Sequence, residues 1–188
     1  MKKLNDKVKF IYLIFCLSII FLGKKLYDEN QGLVRPSLYD MGSSQEAPIS
    51  LKMYYLIEKY SKKYQIPRYI AYNVAFLETG YKGPFHWSYN PHQESFAGAV
   101  GPMQIMPKTG KWLTNGSTTK FDLKMDIELN VSLSMKLLRQ LHDQYNNWGV
   151  VCGWYNTGRP VINKYGFYCQ SNKDYRSKWI KYKEKTPN

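Results

Sequence analysis

Apolar side chains recur along this chain with a helical rhythm rather than an alternating one. Met53, Ile57, Tyr60 and Tyr64 fall at i, i+4, i+7 and i+11, which predicts an amphipathic helix from about residue 49 to 64. Pro67 suits the first turn of a second helix, whose apolar stripe is Ile70, Val74 and Leu77 and whose stop is Gly80. A longer pattern, Ile127, Val131, Met135, Leu138, His142 and Tyr145, runs from Asp126 to Trp148. A second row, Leu129, Leu133, Leu137 and Leu141, widens that face, so this helix reads as the buried spine. Shorter helices are expected near 107–114, 149–156 and 174–183. No run alternates as a half-buried strand does, and the fold class is mainly α.

The N-terminus breaks this rhythm. "MKKLNDKVK" is followed by "FIYLIFCLSIIFL", Phe10 to Leu22, without a charge. Thirteen residues reach about 20 Å along a helix, short of the roughly 30 Å of hydrocarbon in a bilayer, which favours a signal-peptide core over a full span. No small-x-small cleavage site follows: Phe21 and then Lys24-Lys25 flank Gly23, so an uncleaved signal-anchor stands beside cleavage. Cys16 follows bulky Phe15, where a lipidation motif needs a small residue. Either way the chain is predicted to be exported, with its lysine-rich end kept inside. Residues 24–47 are polar, contain Gly and Ser, and read as a tether. The expected organisation is therefore 1–23 signal peptide or signal-anchor, 24–47 tether and 48–188 one folded domain. A chain of 188 residues, 44% of them hydrophobic, leaves little room for a second.

Charge adds a constraint. From Pro48 onward there are 20 Lys and Arg against 9 Asp and Glu, so the basic excess belongs to the folded part. A polyanionic neighbour (nucleic acid, phospholipid head groups or an anionic wall polymer) fits that excess, as does a merely soluble basic surface. The export signal and the lack of a clustered basic helix argue against nucleic acid. Cys152 and Cys169 lie 17 apart. In an oxidising compartment they allow a disulfide worth about 3 kcal/mol, and two buried thiols are the alternative. His86, His92 and His142 lack metal-ligand spacing, so no metal and no cofactor are expected.

Three stretches carry candidate chemistry. In "YIAYNVAFLETGYKG", Glu78 sits on the core-facing edge of its helix and close to its end. Apolar neighbours desolvate the carboxylate and the negative helix terminus repels it, so its pKa is expected to rise towards that of a general acid. Outward rotation to pair with Lys82 is the structural alternative. In "VVCGWYNTGRP", Tyr155 and Asn156 present a phenol and an amide at another helix end, although Asn-Thr-Gly also suits a plain C-terminal cap. In "AVGPMQIMPKTG", Gln104 stands among Met103, Ile105 and Met106 between two prolines, one polar group set into an apolar wall.

In this order, "ETGY" (78–81), "GPMQIMPKT" (101–109) and "WYNTG" (154–158) resemble the soluble lytic transglycosylase family. The resemblance covers about residues 48–166. It implies a lysozyme-like, goose-type single catalytic domain behind the N-terminal hydrophobic signal-anchor. It implies cleavage of the MurNAc–GlcNAc β-1,4 bond of peptidoglycan with formation of 1,6-anhydro-muramic ends, without a cofactor. Carried over by position, Glu78 is the catalytic acid/base, Met103 and Gln104 line the sugar groove, and Tyr155 and Asn156 hold the glutamate and the substrate. The implied partners are peptidoglycan glycan strands, the membrane through the N-terminal segment, and secretion, conjugation or phage-entry machinery. The implied location is the periplasm or cell envelope, with residues 10–22 anchored in the inner membrane.

The chain departs from the family pattern in three places. Pro102 replaces the usual leucine and removes a backbone donor. Thr157 replaces the alanine between Asn and Gly. Glu78 precedes Gly101 by 23 residues, so "KGPFHWSYNPHQE" (82–94) reads as an insertion along the groove, with Phe85, His86, Trp87 and Tyr89 able to stack on sugars or on one another. Glu94 within it is a possible second carboxylate. That keeps a hydrolytic muramidase as an alternative, beside a non-catalytic wall-binding assembly protein.

Overall fold

The computed structural model describes residues 37–174; the apolar run at 10–22 and all but the first residue of the expected 174–183 helix lie outside them. Among the described residues there are eight helices and no strand, as a mainly α fold requires. None of these helices is long and apolar enough to cross a membrane.

Helix α1 (Leu38–Ser43) corrects the described part of the expected tether. Ser37 and Asp40 form a capping box that starts it, and Gly42 brings it onto α2 (Ile49–Lys63). A Cβ at Gly42 would stand 2.6 Å from Leu51 O and 2.7 Å from Tyr55 Cβ, so the approach needs glycine. The compact unit accordingly begins at Ser37 rather than Pro48. The stretch has no apolar period because only one small residue is buried in it.

Helix α2 buries Met53, Leu56, Ile57 and Tyr60, and ends at Lys63 with Tyr64 as its cap, within a residue of the expected end. Helix α3 (Arg68–Thr79) follows Pro67; Ile70, Ala71, Val74 and Ala75 are wholly enclosed. Gly80 closes it at φ 71°, its N–H bonded to Phe76 O at 2.9 Å. Helix α3 is buried on most of its faces and packs on α2, and Glu78 lies in its last turn.

Helices α4 (Pro107–Leu113) and α5 (Lys120–Met125) lead into α6 (Ile127–Tyr145), the spine, on which Val131, Met135 and Leu138 have no exposure. The spine is shorter than the apolar pattern predicts. Asn146 adopts a left-handed φ of 48°, and the Asn147 side chain accepts from the N–H groups of Gly149 and Val150 to start α7 (Trp148–Thr157). Helix α8 (Lys164–Ser171), capped by Asn163, then packs on α7 and α3.

Between α3 and α4 the chain is irregular, and one polar residue of the spine organises it. Asn130, wholly buried, donates to Val100 O at 2.8 Å and Leu123 O at 2.9 Å and accepts from Met103 N–H at 3.0 Å. A buried loop must satisfy its backbone groups somewhere, and here a side chain does so. Asn130→Ala takes a partner from three buried backbone groups, of which Val100 O keeps the Ile105 N–H at 3.0 Å, and is expected to cost about 2 kcal/mol, read from the midpoint of urea unfolding.

Candidate active site

Glu78 is held where burial and helix polarity both disfavour its charge. Burial raises its pKa from 4.5 to about 7, and a hydrogen bond from the Tyr165 hydroxyl to Oε1, 2.6 Å long, pulls in the opposite direction. Tyr165 comes from α8, and burial followed by the neighbouring Glu78 charge keeps its own proton firmly bound. The carboxyl therefore exchanges its proton near neutrality beside a fixed neutral donor. That is the state an acid catalyst needs before it becomes a base.

Thr79 ties this helix end to the loop that follows. Its hydroxyl donates to Pro102 O at 2.8 Å and pairs with the Tyr89 hydroxyl at 2.9 Å. Pro102 thus lacks a donor but supplies the acceptor that fixes the residue next to Glu78. Gln93 adds a second tie: its Nε2 donates to Thr79 O at 3.1 Å and Asn90 O at 2.8 Å, while its carbonyl accepts from Gly101 N–H at 3.0 Å and Gln104 Nε2 at 3.1 Å. The 82–94 segment is thereby built into the wall beside Glu78 through its Gln93 and Tyr89.

Each predicted residue has a definite place. Gln104 has φ 52°, and its Nε2 also donates to Gly101 O at 2.9 Å, so its amide braces the wall. Backbone strain of this kind in a polar residue recurs at functional sites. Met103 is expected on a groove surface, but its side chain is wholly enclosed. It reaches the site through its carbonyl, which accepts from the Tyr155 hydroxyl at 2.7 Å. Tyr155 links α7 to that wall and lies close enough to Glu78 for the carboxylate to raise its pKa, after burial as the larger cause. Asn156 lies exposed at the end of α7, its Oδ1 accepting from Asn163 Nδ2 at 3.0 Å. Glu94 is paired with Lys120 at 2.6 Å and Lys124 at 3.2 Å, and the Lys120 bond leads in holding its pKa below the usual glutamate range. The two glutamates are thus electrostatic opposites, one enclosed and protonatable, the other open and ionised.

Sequence reasoning misses Tyr165, Thr79, Gln93 and Asn130. Tyr165 is one of 17 tyrosines, and nothing in its neighbours marks it. Asn130 did leave a signal, a polar residue between Leu129 and Val131 on the inward edge of the spine. Tyr165→Phe tests the first contact. It removes the bond that opposes burial, so the Glu78 pKa should rise, moving the alkaline fall of kcat/KM to higher pH and lowering the maximum about tenfold. An unmoved alkaline limb would show that the contact does not act on Glu78.

A protonatable carboxyl at a helix end, oriented by a tyrosine and set against a braced loop, is an arrangement able to carry general acid–base chemistry. The chain belongs to the transglycosylase SLT domain family, whose model matches residues 55–178. It is similar to the membrane-bound lytic murein transglycosylase D of Escherichia coli strain K12, at 26% identity over 78 residues, 41% of this chain and 17% of that protein. The protein of the same name from Escherichia coli O6:H1 gives the same figures. The chain thus matches less than a fifth of the length of these curated relatives. No solved structure matches it.

Proposed function

We propose that this chain is a peptidoglycan lytic transglycosylase that cleaves the MurNAc–GlcNAc β-1,4 bond and leaves 1,6-anhydro-muramic ends. The observation that carries the reading is the Glu78 carboxyl, pushed to about 7 by burial and oriented by Tyr165. Protonated Glu78 gives its proton to the bridging oxygen as the C1–O bond breaks, and GlcNAc leaves with a free 4-hydroxyl. The acetamido oxygen of the muramic sugar stabilises the electron-poor C1. Ionised Glu78 then takes the proton of the C6 hydroxyl as O6 bonds to C1, which restores the acid. No water enters, so one carboxyl suffices where the usual glycosidase needs two. Gln104 and Asn156 keep the substrate-facing roles proposed for them, Gln104 through its side-chain oxygen, while Met103 supports Tyr155 through its carbonyl.

Hydrolysis with Glu94 as the second carboxylate is less well supported, because two lysines already occupy its oxygens. A binding protein without turnover has no use for a carboxyl held at such a cost. The substrate places the activity in the cell envelope, and the apolar run at 10–22 offers a means of anchoring there.

The test uses the full chain in mild detergent on purified sacculi. Wild type and Glu94→Gln are expected to solubilise glycan at similar rates. Loss of solubilisation in Glu94→Gln at unchanged thermal stability would shift the reading to the hydrolase.

A further inference from the structure

The proposed chemistry leaves two buried nucleophiles unused. Cys152 on α7 and Cys169 on α8 have no exposure and stand as thiols, near enough for Cys152 to be the leading cause that raises the pKa of Cys169. Helix packing explains the proximity. A Cβ on Gly166 would stand 2.1 Å from Gly149 O, and one on Gly149 would meet the Gln170 side chain at 2.4 Å. The two backbones therefore touch, and Cys152 follows Gly149, as Cys169 follows Gly166, by three residues on its own helix.

We infer that Cys152 and Cys169 form a disulfide that clamps α8 onto α7, and with it the Tyr165 hydroxyl onto Glu78. Tyr165 precedes Cys169 by one helical turn and so shares its face. On the other side, Asn73 of α3 donates to Cys169 O at 3.1 Å and Asn172 O at 2.7 Å, so α8 bridges α7 and the helix that bears Glu78. An eight-residue helix does not hold its own conformation in water, and a covalent tie within it suppresses its opening.

The oxidant is a small-molecule or protein disulfide. One cysteine thiolate attacks a sulfur of that disulfide and releases one thiol; the second thiolate attacks the mixed disulfide, forms the Cys152–Cys169 bond and releases the other. Two protons pass from the cysteines to the two released thiolates, and the oxidant takes up two electrons. The neighbouring Cys152, and then burial, hold the Cys169 thiol protonated once α8 is docked, so exchange takes place before α8 closes or while it is open.

The bond can be tested without any glycan, and only its effect on Glu78 rests on the proposed function. The full chain, whose third cysteine is Cys16, is incubated with oxidised glutathione, denatured and alkylated. One alkylated thiol, Cys16, and a cross-linked peptide pair containing residues 152 and 169 are expected; three alkylated thiols would overturn the inference. Hydrogen exchange then reads the clamp. Reduction should speed exchange at residues 164–172 by about tenfold while leaving α2 unchanged, and equal exchange in the two states rejects the clamp. The Cys152→Ala/Cys169→Ala pair should exchange like the reduced protein and ignore reductant. A continuing response to reductant in that variant would assign the effect to Cys16 and overturn the inference. If sacculi are not cleaved but these results hold, the proposed function fails and the disulfide stands.

Discussion

Glu78→Gln is expected to abolish glycan cleavage, by at least about 10³-fold, and at the same time to make the protein more stable above neutral pH. Glutamine keeps the shape of the side chain and can still accept from Tyr165, so the fold is undisturbed. It has no proton to give and cannot act as base, so both half-reactions stop. The gain in stability follows from the raised pKa. Between pH 4.5, where the unfolded carboxyl titrates, and about 7, where the folded one does, the native state binds the extra proton. Wild-type stability therefore falls as pH rises through that window, by an amount on the order of 3 kcal/mol, and stays low above it. The variant has no such loss. Urea unfolding at about pH 8 should show it more stable than wild type, and at about pH 4 the two should coincide. Equal stability at both values would mean that Glu78 is not forced into an unfavourable setting, and its assignment as the acid would lose its physical basis.

Gly101→Ala is expected to cost about 4 kcal/mol and to remove activity with it. The residue has φ 82°, and a Cβ there would stand 2.2 Å from Asn130 Nδ2 and 2.5 Å from Leu123 O. Neither neighbour can yield without releasing bonds: Asn130 Nδ2 holds Val100 O and Leu123 O, and Leu123 O is itself one of its acceptors. Gly101 also donates to Gln93 O and accepts from Gln104, so its displacement would loosen the tie between the wall loop and Thr79. By contrast, Gly98→Ala meets nothing within 4 Å and carries only the backbone cost of its positive φ. Comparing the two variants by urea unfolding separates close packing from conformational preference; equal losses would contradict the packing argument.

Helices with a strong apolar period could be read from the sequence, and contacts made by polar side chains could not. Helices α2 and α3 lie where Met53, Ile57, Ile70 and Val74 put them, because their burial repeats every turn. The spine ran too long in prediction because Tyr145 and Trp148 continue the apolar row across Asn146-Asn147, where the turn is made by backbone conformation and an asparagine cap. Helices α1, α5 and α8 are short and are fixed by caps and glycine contacts, which leave no periodic trace. The same division holds in the site. Glu78 was legible because a carboxylate on an apolar helix edge is anomalous. Tyr165 was not, since it reaches Glu78 across 87 residues of chain from a helix with no pattern of its own. Gln104 was recognised as a fixed amide, but the groups that fix it are carbonyls of Gln93 and Gly101, and carbonyls are invisible in a sequence. Met103 was placed on the wrong side of the wall for a similar reason: "MQIM" does not say which face is the core.

In the proposed reaction one carboxyl completes both half-reactions without water. Mass analysis of the muramic ends released from purified sacculi by the full chain tests it most directly. Anhydro ends, lighter than reducing ends by one water, are expected from wild type and none from Glu78→Gln. Reducing ends as the main product, or release that persists in Glu78→Gln, would contradict it.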